Sequence, residues 1–197
     1  MAFVPPPPPR SPRRPARVSV LAVALVVLMG APACTTPPAP EVAAPDPAIA
    51  ALTAVGERLL ARARAGDTAG VAAVLAEHAP TASELATLFG PDAGPRLAAD
   101  YEKRILPALR AESGPVLVAA VAAGRDQIQV EAVGPAFPAR TTPGDTRRLE
   151  AARQPLRMYT LRLHRPGEKL GLRLDGFVQL GGRWCMLATL DPGATPG

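Results

Sequence analysis

Few side chains in this sequence can do chemistry, and the foremost is a carboxylate inside a strand. Asp175 lies between Arg173 and Phe177 in the segment LRLDGFVQL. A carboxyl group set among aromatic side chains can have a raised pKa and act as a general acid or base. The competing reading is an ion pair with Arg173, which contributes only about 0–1 kcal/mol when exposed, and it is the simpler of the two. Arg162, Arg173, Asp175, Phe177 and Trp184 share one sheet face if the strands pair as the turns suggest. A face that mixes charges with aromatics suits binding of a protein or a small molecule, although Trp184 reads first as a packing residue.

Other chemistries find little support. His78, His164 and Cys185 are scattered without metal-ligand spacing, so neither a metal nor a cofactor is expected. His78 fits a helix C-terminus. Ser83 and Ser113 are the serines that follow residue 34, and Ser83 sits at a helix start. No GxSxG or phosphate-loop motif accompanies them. Asp100 and Arg104 are spaced as a structural i,i+4 helix pair.

The elements that must position these residues fall into two halves. Asp46-Pro47 caps a helix with Ile49, Leu52, Val55, Leu59 and Leu60 on one stripe. Gly66-Asp67 breaks it and starts a second helix with Val71, Val74 and Leu75. Thr81 to Glu84 is a capping box, and the helix it opens stops at Gly90. Pro95 opens a longer helix that Pro107 should kink or end. The stretch 116–121 fits helix or strand equally well. Strands are expected at 127–133, 156–164, 170–180 and 183–190, with turns at Pro166-Gly167 and Gly181-Gly182. This order predicts an α+β fold, with N-terminal helices packed on a C-terminal four-stranded antiparallel meander.

The turns also predict a register. Leu161 should face Leu172, Tyr159 should face Leu174, and Val178 should face Cys185. A core wall of Tyr159, Leu161, Leu163, Leu170, Leu172, Leu174, Val178, Cys185 and Leu187 follows. The other face collects Met158, Thr160, Arg162, Arg173, Asp175, Phe177, Trp184 and Met186. Residues 134–155 form either a surface loop or a lid over that mixed face, with Asp145 placed to cap a short helix.

Charge excludes one class of partner. The net charge of +5 depends on Arg10, Arg13, Arg14 and Arg17, which precede residue 34 without any acid. Without them the net charge is +1, which leaves no footprint for nucleic acid. Behind these arginines runs VSVLAVALVVLM, too short for a bilayer span of about 20 residues but suited to a signal segment. Gly30, Ala31, Pro32 and Ala33 then lead to Cys34. This pattern resembles a bacterial lipoprotein signal, with Ala31 where such signals carry leucine. The resemblance implies a lipid on Cys34 and a membrane anchor. Thr35, not aspartate, follows the cysteine, which implies the outer membrane, facing the periplasm. An ordinary secretory signal cleaved after Ala33 is the alternative.

The expected organisation is a signal segment at 1–34, a Pro/Ala-rich tether at 35–47, an α+β domain at 48–191 and a disordered tail at 192–197. LLARARAGDTAGVAAVLA and DGFVQLGGRWCML give the domain a resemblance to the NTF2-like (SnoaL-like) superfamily. The layout as a whole is similar to a group of uncharacterised bacterial envelope proteins. The NTF2-like resemblance implies a sheet curled as a cone around helices, with a pocket in some members, and no particular activity. The expected function is a non-catalytic binding or interaction domain in the cell envelope. The alternative is an NTF2-like enzyme using Asp175 in a cone pocket.

Overall fold

Asp46 caps the first helix, α1 (Pro47–Arg64), by accepting the Ala48 N–H at 2.9 Å, and Pro47 takes the position where a missing N–H costs nothing. The computed structural model describes residues 46–192. The expected signal segment with Cys34, most of the tether and the end of the tail lie outside the described residues.

Local chemistry sets the next helices as expected. Asp67 caps α2 (Thr68–Ala76) through the Gly70 N–H at 2.7 Å. The Thr81–Glu84 box opens α3 (Ala82–Phe89), which ends at Gly90 with φ 101°. Pro107 does not end its helix, which continues to Ala122. Between α4 (Ala93–Asp100) and α5 (Leu106–Ala122) lies one π-helical segment, Tyr101–Ile105, which widens the helix just before the proline. The helical stretch Ala93–Ala122 is long and apolar enough to cross a membrane. Within the domain its Leu97, Tyr101, Ile105 and Leu117 are buried core residues. The ambiguous stretch 116–121 is helical.

Four strands follow as an antiparallel meander in the order β1 (Gln127–Val133), β2 (Met158–His164), β3 (Leu172–Leu180), β4 (Arg183–Met186). The fold is α+β. Residues 134–155 are not a bare loop: they carry α6 (Pro143–Ala151), capped by Thr142 with Asp145 as the reciprocal partner.

The expected register needs correction. Leu172 pairs with Leu163 and Leu174 with Leu161, while Tyr159 pairs with Phe177. Two causes act. Leu170, expected in the core wall, swings out at the hairpin tip and is 79% exposed, which moves the pairing by two residues. A bulge between the Leu161 and Tyr159 pairs then adds one residue to β3, next to Gly176 with φ 81°. One extra residue inverts the faces of everything beyond it. The β3–β4 pairing of Val178 with Cys185 is as expected.

Both faces of the sheet are therefore buried, against different helices. Tyr159, Leu161, Leu163, Phe177, Trp184 and Met186 pack with Leu52, Leu59, Leu75 and Leu117 from α1, α2 and α5. Met158, Val178, Cys185 and Leu187 pack with Leu85, Leu88, Leu97 and Tyr101 on the other side. Val178, Cys185 and Leu187 thus leave the predicted wall and join the face of Met158. Phe177, Trp184 and Met186 make the reverse exchange.

Candidate functional site

The polar residues stay together on the part of the second face that precedes the bulge. Arg162 and Arg173 are directly opposite each other in the β2–β3 ladder. Like charges so placed repel, and each is held by an acid. Glu131, itself buried, receives Arg162 at 2.9 Å. Asp175 receives Arg173 at 2.9 Å.

Asp175 is embedded in a small network. Its Oδ1 accepts from Thr160 Oγ1 at 2.9 Å and from Arg173 Nε at 3.0 Å. Thr160 is fully buried. Arg173 Nη2 also donates to the Arg140 carbonyl at 3.2 Å and comes within 3.9 Å of Asp145. The ion-pair reading of Asp175 is therefore the geometry observed.

Asp145 joins this network to α6. Its carboxylate accepts Thr142 N–H and hydroxyl at 2.8 Å and Arg148 Nη2 at 2.7 Å. Burial pushes the Asp145 carboxyl up, but the Thr142 bonds and the Arg148 guanidinium outweigh it and hold it below the ordinary carboxylate value. Arg148 donates onward to the Ala188 carbonyl at 2.7 Å. So α6 is fastened to the turn that follows β4.

Beside this network lies a cleft of about 410 Å³, lined by Thr142, Arg147, Arg173, Asp175, Thr189 and Asp191 among others. A second cleft of about 420 Å³ adjoins it along α5, with Ile105, Leu109, Val116, Leu117 and Leu172 in its walls. Leu109, Arg173, Leu174, Ala188 and Thr189 belong to both. One side of the joint site is ionic, and the other is apolar.

Of the expected binding residues, Arg173 and Asp175 line the cleft. Arg162 neighbours it but turns to Glu131. Phe177 and Trp184 are on the opposite face, 0% and 7% exposed. Phe177 meets the His78 ring edge-on at 6.2 Å, and Trp184 meets Tyr159 at 5.5 Å. The bulge is the reason for their transfer. The signal for it was a glycine inside a strand pattern. Arg148, Leu109, Val116 and Thr189 were not anticipated. The T-x-x-D box at Thr142–Asp145 was readable, but its docking partners were not.

Among the described residues no cluster of His, Cys, Asp and Glu could hold a metal ion. No family model matches the chain, and no curated protein or solved structure shows a significant match.

Proposed function

We propose that this chain is an exported, lipid-anchored envelope protein whose domain binds a peptide or small molecule without transforming it. The observation that supports binding is the joining of an ionic and an apolar cleft through Arg173 and Leu174. A site of this size with few polar groups on apolar walls is a usual ligand site. The anchoring part rests on the signal-like run before Cys34.

A second reading, an NTF2-like enzyme with Asp175 as acid or base, draws on the place of Asp175 in the cleft wall. Its carboxylate is already taken up by Arg173 and Thr160, an engagement that favours a structural role and so the binding reading.

Thr189 is exposed and lines both clefts, so Thr189→Trp should fill the site with little cost to folding. Two probes test the reading by thermal shift: decanoate, and the capped hexapeptide Val-Glu-Val-Glu-Val-Glu. At least one should raise the melting temperature of the wild type and not of Thr189→Trp. No shift with either, or a shift that persists in the variant, would overturn the proposal.

A further inference from the structure

The two clefts flank a strand edge that lacks a neighbour. β3 runs over Leu172–Leu180, but its ladder with β4 covers only the pairs from Phe177–Met186 to Leu180–Arg183. One further bond joins Leu187 N–H to the Gly176 carbonyl at 2.8 Å. Ala188, with φ 47°, then turns the chain away. Residues 172–174 therefore pair with β2 on one side, Asp175 falls in the bulge, and on the other side no described residue bonds to the backbone of 172–175. Four strand residues offer an edge of roughly 13 Å.

An open edge is a template for a further strand, and proteins usually blunt it or cover it. This edge is instead recessed. Leu172 and Leu174 point to the α5 side, and Arg173 and Asp175 point to the α6 side. A strand laid along the edge would continue that alternation. Every second side chain would enter the apolar cleft of Ile105, Leu109, Val116 and Leu117. The others would enter the ionic cleft. There the Arg147 side chain is 57% exposed and spends its Nε on Asp191 at 3.3 Å, while Arg173 binds through Nε and Nη2 and its Nη1 has no partner among the described residues. A guanidinium has five N–H donors, and both arginines keep donors for a carboxylate.

We propose that the edge of β3 at residues 172–175 is a strand-acceptor site for an extended peptide in which apolar and acidic residues alternate. The proposal rests on the binding reading of the same cleft and names its ligand class. Main-chain bonds supply affinity, and the two clefts supply the pattern preference.

The test uses the Val-Glu hexapeptide, a block isomer Val-Val-Val-Glu-Glu-Glu, and two N-methylated forms, one methylated on the three valine amides and one on the three glutamate amides. In an added strand, alternate N–H groups face the acceptor and the rest face solvent. One methylated form should lose about tenfold or more in affinity, and the other should stay within about twofold. The block isomer should bind at least several-fold more weakly. Hydrogen exchange should show new protection at residues 172–175. Val116→Glu, at a half-exposed position on the rim of the apolar cleft, should weaken the peptide without unfolding the domain. Equal loss from both methylations, or from neither, would overturn the site. So would protection at the other free edge, residues 127–133, or pairing of two copies of this chain through β3 in place of peptide. Decanoate binding with no peptide binding would remove this inference and leave the proposed function standing.

Discussion

Arg148 donates to Asp145 at 2.7 Å in a pair whose side chains are only 6% and 0% exposed. The same guanidinium reaches the carbonyls of Ala188 and Leu190. Removing one partner of a buried pair leaves an uncompensated charge, at a cost of about 3–5 kcal/mol. Arg148→Met should therefore lower stability by roughly that amount in urea unfolding, whereas Arg147→Met, at an exposed ion pair, should cost under about 1 kcal/mol. Equal effects from the two would show that α6 is not fastened through Arg148.

The bulge gives a second expectation. A Cβ at Gly176 would need φ near 81° and would stand 3.1 Å from Ala188 N, while Gly182 has φ 82° and open space around it. Left-handed backbone costs an L-residue about 1–2 kcal/mol. Gly182→Ala should cost about that, and Gly176→Ala distinctly more, because the turn after β4 must also shift. Chemical denaturation of the two variants compares them directly, and equal losses would count against the close approach to Ala188.

The exchange of faces is tested by Phe177. Its side chain is fully buried among α1, α2 and α5, so Phe177→Ala should cost about 3–5 kcal/mol. Arg173→Ala, in a pair about a quarter exposed, should cost less. A near-neutral Phe177→Ala would restore the register in which that ring faces solvent.

His78 predicts a pH dependence. Its Nδ1–H donates to the Trp184 carbonyl at 3.0 Å, so Nε2 is the bare acceptor, and it is buried without a partner. Burial lowers the His78 pKa from its ordinary value of 6.5, against the opposing pull of that bond and of Glu77. The unfolded chain then takes up the proton at a higher pH than the folded one. Stability should fall as pH drops through 6.5 and level off once the lower folded value is passed. Urea midpoints between pH 8 and 5 would show this, and the slope should vanish in His78→Gln. A slope that survives the substitution belongs to another group.

Cys185 is fully buried, and burial pushes its thiol up to about 11, reinforced by the Glu84 carboxylate. It should behave as a small hydrophobe, with thiol reagents labelling the native protein far more slowly than the urea-unfolded one. Fast labelling under native conditions would contradict its place in the core. For the proposed anchor, Cys34→Ala should block incorporation of labelled fatty acid and empty the membrane fraction, and an unchanged membrane fraction would sink the anchor.

Elements whose causes lie within a few residues were legible from local spacing. Asp46, Asp67 and the Thr81–Glu84 box start their helices through bonds that reach two or three positions along the chain. Gly181-Gly182 closes the last hairpin, and the strand order follows because short turns leave a meander no other path. The buried state of Cys185 was legible too, though on the wrong face. Tertiary structure alone decided the site. The bulge beside Gly176 adds one residue, and a period of two makes that enough to move Phe177 and Trp184 into one core and Val178 and Cys185 into another. Which core accepts them depends on α1, α2 and α5 meeting one face while α3 and α4 meet the other, which no local spacing encodes. The cleft arises in the same way: β4 stops short of residues 172–175, and Arg148 draws α6 against carbonyls some 40 positions away. Such contacts depend on where the packed layers bring distant chain segments, and that is set by the whole fold.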